Sequence, residues 1–132
     1  MRIDEMPAGR EMDALLAEKV MGYTLSDLSL LAYPKYKLFD IESGEFSGYV
    51  KEVPHYSTDI AAAWQVVRKI QQDFFINLIC GRNEGRKNGR IGYNCDIGYY
   101  ENNGAPEWYS DSQTAPLAIC RAALKAMGVT EI

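Results

Sequence analysis

The sequence predicts a mixed α/β protein of the α+β kind, a three-layer α–β–α sandwich with three main helices and a mainly antiparallel sheet. Three segments repeat apolar residues at helical spacing. Residues 74–80 are apolar at nearly every position, which is typical of a central strand buried between helices on both faces of a sheet. Residues 91–100 alternate apolar and polar side chains after a turn-rich segment, which predicts an antiparallel partner strand.

Length and composition indicate one soluble domain spanning residues 1–132. The chain is 47% hydrophobic and 24% charged, and it has no apolar run long enough to cross a membrane and no secretion signal. Its net charge of −4 disfavours binding to extended nucleic acid. Three widely spaced cysteines fit a reducing compartment, so we expect a cytoplasmic protein with no membrane partner.

The first helix is predicted over residues 9–22. Gly22 ends it, and one side of the helix is apolar, formed by Met12, Leu15, Leu16 and Val20. The charged residues Glu11, Asp13, Glu18 and Lys19 are expected to face water.

Residues 23–55 are less regular. Residues 23–33 fit either a short helical turn or an irregular packed loop. Residues 36–41 and 46–50 read as two short strands joined by a turn, and Pro54 ends this extended region.

The second helix, over residues 56–70, has the clearest pattern in the chain. Ser57 or Thr58 can cap its first backbone N–H groups, and Asp59 places a negative charge at its positive end. The predicted buried stripe includes the large indole of Trp64 and consists of Ile60, Ala63, Trp64, Val67 and Ile70.

The remaining elements follow the strand at 74–80. Residues 81–90 form a glycine- and asparagine-rich hairpin tip, with Asn88-Gly89 as its expected tight turn. The strand at 91–100 turns Ile91, Tyr93, Cys95, Ile97 and Tyr99 to one face. A short edge strand is expected at 107–110. The third helix covers 114–128, with Thr114 as N-cap and a buried stripe of Leu117, Cys120, Leu124 and Met127.

No sequence motif indicates catalysis, a metal or a cofactor. The chain lacks a nucleophile elbow, a P-loop and a dinucleotide-binding fingerprint. Its three cysteines and single histidine, His55, lack the close spacing of a zinc site. We therefore expect no catalytic residue, no metal ligand and no cofactor.

The strongest binding signal is a basic cluster in an acidic chain, formed by Arg82, Arg86, Lys87 and Arg90. Guanidinium groups and glycine-rich backbone suit phosphate or carboxylate ligands, although a solvated hairpin tip is the alternative. The nearby aromatic residues Tyr100, Trp108 and Tyr109 could stack a base, or could pack in or around the core.

A second candidate site is the entry to the second helix, at His55, Tyr56 and Ser57. Free amides at a helix start can receive an anion. The alternative is a loop histidine that makes an ordinary hydrogen bond.

Three blocks of the sequence, at residues 9–22, 56–64 and 114–124, resemble the phage ABA-sandwich domain family. The resemblance implies an α–β–α layered fold in a protein of tailed phages or prophages, and so a place in the cytoplasm of the infected host cell. The family is generally of unknown function, so the resemblance assigns no site residues.

Together these features lead us to expect a small non-enzymatic homo-oligomer that binds and sequesters an anionic nucleotide-derived ligand, such as an immune signal of the host. The alternative is a phage accessory protein that acts through protein–protein contacts or oligomerisation without a small ligand. An enzyme ranks last, because the sequence supplies no coupled acid, base and nucleophile.

Overall fold

The computed structural model describes residues 1–26, 33–82 and 91–132, which contain three main helices. Helix α1, Arg10–Leu15, continues directly into a π-helical segment, Leu16–Val20. Helix α2 is Ile60–Gln71 and helix α3 is Ala115–Ala126. Each coincides with a predicted helical segment, and Gly128 adopts a left-handed φ of 85° just past α3, as expected of a terminating glycine.

The strands form two antiparallel sheets. Strands β1, Lys35–Phe39, and β2, Phe46–Glu52, make a two-stranded ribbon. Strands β3, Phe75–Arg82, β4, Ile91–Gly98, and β5, Pro106–Ser112, make a three-stranded sheet in the order β3-β4-β5. The predicted α+β class, with three helices and antiparallel strands, is confirmed.

Helix α3 lies at the centre of the molecule. It packs against β4 and β5 on one side and contacts α2 and the π-helical segment on others. Its buried residues extend beyond the predicted stripe and are Pro116, Ala118, Ile119, Cys120, Ala122, Ala123 and Leu124. Met127, predicted in that stripe, is 38% exposed just past the end of α3, so its assignment to the core is wrong. The face of the three-stranded sheet that carries Cys95 and Ile97 packs on this helical layer, and we call it the inner face.

The prediction that residues 74–80 form a doubly buried central strand is wrong. β4 is the central strand, and β3 lies at an edge. Phe75 and Ile79, on the outer face of the sheet, are 42% and 46% exposed. Both faces of β3 are partly covered, which accounts for its apolar residues on both sides. It is not fully buried, because only a strand with neighbours on both sides is covered completely.

The outer face of β4 is polar and yet buried. Asn94 and Asp96 are 2% and 7% exposed, and the Asn94 side-chain amide donates to Asp96 Oδ1 at 2.6 Å. The alternation predicted over residues 91–100 is present, but its polar half is covered because β3 and β5 flank it on both sides. Tyr99, expected on the buried face, is 38% exposed at the strand's end.

The buried face of α2 is rotated relative to the predicted stripe. It consists of Ala62, Ala63, Val66, Val67 and Ile70. Ile60 and Trp64 are 50% and 45% exposed, so the assignment of Trp64 to the core is wrong. α2 contacts α3, and the buried residues of both helices include several alanines; such small side chains allow a close approach that leaves no room for an indole between them.

Part of the predicted binding region lies outside the described residues. Arg86, Lys87, Arg90 and the turn at Asn88-Gly89 fall within 83–90, and residues 27–32 are likewise outside. In the described ranges, no helix is both long and apolar enough to cross a lipid bilayer.

Candidate functional site

A buried carboxylate, that of Asp13, organises the entry to α2. Ser57 donates to Asp13 Oδ1 twice, from its backbone N–H at 2.8 Å and from its hydroxyl at 2.6 Å, and the Tyr33 hydroxyl donates to Oδ2. The backbone N–H of Gly9 donates to Ser57 Oγ at 2.9 Å, just before α1 begins. Asp13 is fully buried, so the expectation that it faces water is wrong.

This network fills the anion position predicted at the start of α2. The N–H of Ser57 already serves Asp13, and the helix is capped two residues later by Asp59, which accepts from the N–H of Ala61 at 3.1 Å. The prediction that the Ser57 amide is free for a ligand, and that Ser57 or Thr58 caps the helix, is therefore wrong. Burial, followed by the hydrogen bond and charge of Asp13, raises the pKa of the Tyr33 phenol.

His55 and Tyr56 point in different directions from this entry. His55 is exposed, with its ring stacked on Tyr33 at 4.3 Å and its Nε2 3.1 Å from Glu52 Oε1. Tyr56 is fully buried, and burial is the main cause that raises the pKa of its phenol. Within the described ranges its hydroxyl has no hydrogen-bond partner. Of the three predicted residues here, only His55 is open to solvent.

The three predicted stacking aromatics do not share one site, since Trp108 and Tyr109 both line the cleft described below and Tyr100 does not. Tyr100 donates its hydroxyl to the carbonyl of Gln71 at 2.7 Å. Trp108 is half-buried opposite Ile97, with its ring 5.6 Å from Phe74. Tyr109 follows on the opposite face and is 57% exposed. Trp108 thus packs at the margin of the core, as in the alternative interpretation.

One cleft of about 450 Å³ runs between β5, the N-terminal segment and the end of α3. Lys125 crosses it, bonding Asp4 Oδ1 and the carbonyl of Tyr109, each at 2.7 Å. Its charged residues are Arg2, Lys125, Asp4, Glu107 and Asp111. With three carboxylates against two cations, this cleft does not suit an anion.

A second, more open pocket of about 550 Å³ lies where α2 and α3 both begin, and we call it the helix-start pocket. Its lining residues come from three separate segments and are Thr58, Asp59, Ile60, Tyr93, Gln113, Thr114, Ala115 and Pro116. Thr114 occupies the N-cap position of α3, but its side chain makes no capping hydrogen bond. Two twelve-residue helices therefore begin at one concavity, and the first turn of α2 is capped there by Asp59 whereas that of α3 has no side-chain cap.

The helix-start pocket also borders the base of the predicted basic hairpin. Tyr93 pairs with Cys80, and two positions further on Arg82 pairs with Ile91. At the rise of a β-strand, this pair lies about 7 Å from Tyr93. Arg82 is thus placed by its backbone at the end of β3, where residues 83–90 depart. Sequence reasoning missed this pocket because no local pattern signals that residues 58–60, 93 and 113–116 meet.

The described residues offer little material for metal or redox chemistry. Within the three described ranges, no group of three or more His, Cys, Asp or Glu side chains could hold a metal ion. Cys95 and Cys120 are buried free thiols, and burial is the main cause that raises the pKa of each. Cys80 is free and exposed on the edge strand.

Comparison with known proteins agrees with the resemblance noted in the sequence. The family model described as the phage ABA sandwich domain matches residues 14–124. A crystal structure of a phage protein from Bacillus cereus ATCC 14579 is similar, with 25% identity and a TM-score of 0.62. The match covers 96% of this chain and 93% of that one. A search of curated proteins found no match.

Proposed function

This chain belongs to the phage ABA sandwich domain family. We propose that it is a non-enzymatic protein that binds and sequesters a small anionic nucleotide-derived ligand. The immune signals that a host cell makes from nucleotides are ligands of this kind. The observation that carries the proposal is the helix-start pocket, where the N-terminus of α3, which has no side-chain cap, lies beside that of α2, which Asp59 caps. Helix N-termini bind phosphate through free N–H groups and the helix dipole.

The size and lining of the pocket support this ligand class. Its volume of about 550 Å³ is within the range of small-molecule sites, roughly 300–1,000 Å³. Tyr93 offers an aromatic ring, and the hydroxyls of Thr58 and Thr114 offer hydrogen bonds. Such a lining can hold a base and a ribose beside the phosphate groups.

The charge of the neighbouring chain segment supports an anion. Residues 82–90 hold four cations, Arg82, Arg86, Lys87 and Arg90, against the single carboxylate of Glu84. This segment has a net charge of +3 in a chain of net charge −4, and its first residue, Arg82, pairs with Ile91 two positions from Tyr93 of the pocket. Guanidinium groups bind phosphate oxygens through paired hydrogen bonds.

Sequestration follows from binding without turnover. Asp59, the carboxylate in the pocket lining, is held as the cap of α2 by its bond to Ala61. A protein present in excess over its dissociation constant removes a signal from solution by mass action. Such a protein would protect the phage by lowering the free concentration of the signal below that needed by the host's effector.

Calorimetric titration with cyclic dinucleotides, cyclic trinucleotides and ADP-ribose tests the proposal. We expect one of these probes to bind, and to be recovered intact after the protein is denatured. The triple variant Arg86→Ala/Lys87→Ala/Arg90→Ala should weaken that binding at least tenfold, since each charged hydrogen bond contributes about 1.5–3 kcal/mol. The matched control, Lys19→Ala/Lys37→Ala/Lys51→Ala, removes the same charge elsewhere and should bind as the wild type does.

A single substitution separates pocket binding from general electrostatics. Ala115→Asp places a carboxylate at the first turn of α3, where it favours the helix by about 0.3–1 kcal/mol. It should therefore preserve thermal stability and yet weaken binding of the anionic ligand. Ala115→Asn, which adds no charge, should weaken that binding less. Failure of all the probes to bind, or conversion of a bound probe to a new product, would contradict the proposal.

A further inference from the structure

The outer edge of β3 has no partner strand among residues 1–26, 33–82 and 91–132. β3 pairs with β4 over eight residues, from Phe75 to Arg82, without a register shift. Its other edge therefore presents a straight row of backbone N–H and C=O groups. No charged residue and no proline occurs between Phe75 and Gly81. Natural proteins rarely leave such an edge uncovered, because it pairs with other strands.

The opposite edge of the same sheet is protected in the usual ways. β5 begins with Pro106, and its pairing with β4 is irregular next to Gly98. Glu107 places a charge on the strand, and Lys125 donates to the carbonyl of Tyr109 at 2.7 Å. Proline, irregular pairing and charge all discourage a further strand from pairing. The contrast indicates that the open edge of β3 has a use.

Both faces of β3 also carry apolar side chains that are not fully buried. On the outer face, Phe75 and Ile79 flank Asn77, and all three are exposed. On the inner face, Ile76 and Leu78 are only partly buried at the margin of the core. A strand added beside β3 would shelter both apolar pairs through cross-strand contacts.

We propose that this edge binds the same edge of a second copy of the chain, with the two β3 strands antiparallel about a twofold axis at Asn77. The two three-stranded sheets then become one six-stranded sheet. This register sets Phe75 beside the partner's Ile79 and Ile76 beside the partner's Leu78. Apolar residues face apolar residues on both sides of the sheet, and the two Asn77 side chains meet at the axis.

Charge complementarity selects a second copy in this orientation. Asp73 lies just before β3, and Arg82 is its last residue. Antiparallel pairing about Asn77 sets the position of each Arg82 opposite the partner's Gln72, next to the partner's Asp73. Parallel pairing would instead bring like charges together. Because the strand between these ends is uncharged, two copies of net charge −4 meet here without opposing carboxylates.

The expected dimer is reversible. A single pair of strand edges buries less than the roughly 1,200 Å² of a standard stable interface. The average molecular mass should therefore fall from that of two protomers towards that of one as the protein is diluted. The interface is isologous, so it closes at two copies and forms no fibre.

Light scattering after size exclusion measures this directly. The wild type at high concentration should have twice the 14.9 kDa protomer mass. Asn77→Asp and Asn77→Lys should each be monomeric, because each sets two like charges face to face on the axis. An equimolar mixture of the two variants should recover the dimer as a heterodimer. Asn102→Asp, at an exposed asparagine outside β3, is the matched control and should dimerise as the wild type does.

A crosslink confirms the register. Residues directly opposite in antiparallel strands have Cα atoms about 4.5–5.5 Å apart, within disulfide range. Asn77→Cys, made together with Cys80→Ser, should form a covalent dimer on mild oxidation, and Asn102→Cys in the same background should not. A wild type of 14.9 kDa at every concentration, or an Asn77→Asp variant that still dimerises, would overturn the proposal. Neither experiment requires a ligand, so the outcome is independent of the proposed function.

Discussion

Single residues carry two of the least expected features of this protein, a buried carboxylate and an exposed tryptophan. Asp13 accepts hydrogen bonds from Ser57 and Tyr33 and thereby joins α1 to the entry of α2. A charged side chain is stable in the interior only when such donors surround it. The network is a structural tie, and it leaves the amide of Ser57 unavailable to a ligand.

Removing the Asp13 carboxylate should strongly destabilise the fold. Asp13→Ala leaves the buried hydroxyl and N–H of Ser57 without their acceptor, and the expected loss is about 3–5 kcal/mol of unfolding free energy. Glu11→Ala, an exposed carboxylate two residues earlier, should change stability by less than about 0.5 kcal/mol. Urea unfolding followed by circular dichroism measures both. Equal small losses would show that the network contributes little.

Trp64 should tolerate a polar replacement. Because its indole is 45% exposed on the solvent side of α2, Trp64→Gln is expected to cost about 1 kcal/mol. Ile70→Gln, on the buried side of the same helix, should cost more than about 3 kcal/mol, since it buries an unpaired amide. Thermal melts of the two variants give the comparison. A loss of stability for Trp64→Gln as large as that for Ile70→Gln would show that the indole is buried in the core.

At the scale of elements, a β-bulge sets which aromatic side chain faces the core. Ile97 pairs with Trp108, but the next residue, Gly98, pairs with Pro106, so Glu107 is an extra residue in β5. The inserted residue shifts the alternation by one, which turns Trp108 inward and Tyr109 outward. The backbone closes tightly here, because a Cβ at Gly98 would overlap the carbonyl oxygen of Ala105.

Gly98→Ala should therefore disturb the bulge. The obstructing atom belongs to the backbone and cannot rotate away, so we expect a loss of about 1–3 kcal/mol. Gly128→Ala is the comparison, because it has open space and a left-handed φ of 85° and should cost about 1 kcal/mol. A loss of stability for Gly98→Ala smaller than that for Gly128→Ala would contradict this account, and so would unchanged amide exchange across β4 and β5.

The bounds of the elements could be predicted because their signals are local. Helical spacing, Gly22, Gly128 and Pro54 lie within or beside the segments that they delimit, and most of the observed helices and strands follow them closely. The start of α2 is the exception, since the sequence predicts a helix from residue 56 and α2 begins at Ile60 after its cap, Asp59. Burial could not be predicted in the same way. Whether β3 or β4 is central, and which side of α2 is covered, depends on neighbours distant in sequence. The helix-start pocket likewise joins residues 58–60, 93 and 113–116, which share no pattern in the chain.

At the scale of the whole molecule, the two ends of the chain close on each other. The N-terminal amine of Met1 donates to the carbonyl of Ile132 at 2.9 Å, and the N–H of Ile3 donates to Thr130 at 3.0 Å. Asp4 then binds Lys125 at 2.7 Å and accepts from the Ser110 hydroxyl at 3.1 Å. One carboxylate thus holds the N-terminal segment against both α3 and β5.

This clasp makes part of the stability depend on pH. Partial burial raises the pKa of the Asp4 carboxyl. The hydrogen bond and charge of Lys125, followed by the hydrogen bond of Ser110 and the charge of Arg121, lower it by more, so the pKa lies below its usual range. A carboxyl with a depressed pKa stabilises the folded state above its ordinary pKa, about 3.9. That stabilisation is lost as the pH falls through the lower folded-state value. Since Asp4 is partly exposed, it amounts to about 0.5–1 kcal/mol.

Asp4→Asn should therefore be less stable than the wild type at pH 7 and equally stable in strong acid. Urea midpoints measured from pH 7 down to pH 2 should converge as the wild-type carboxylate takes up its proton. Glu5→Gln, an exposed neighbour in the same segment, should match the wild type throughout. A deficit for Asp4→Asn that stays constant down to pH 2 would mean that the side chain acts through packing. A deficit that vanishes with protonation would instead establish that the charge of Asp4 holds the two ends of the chain together.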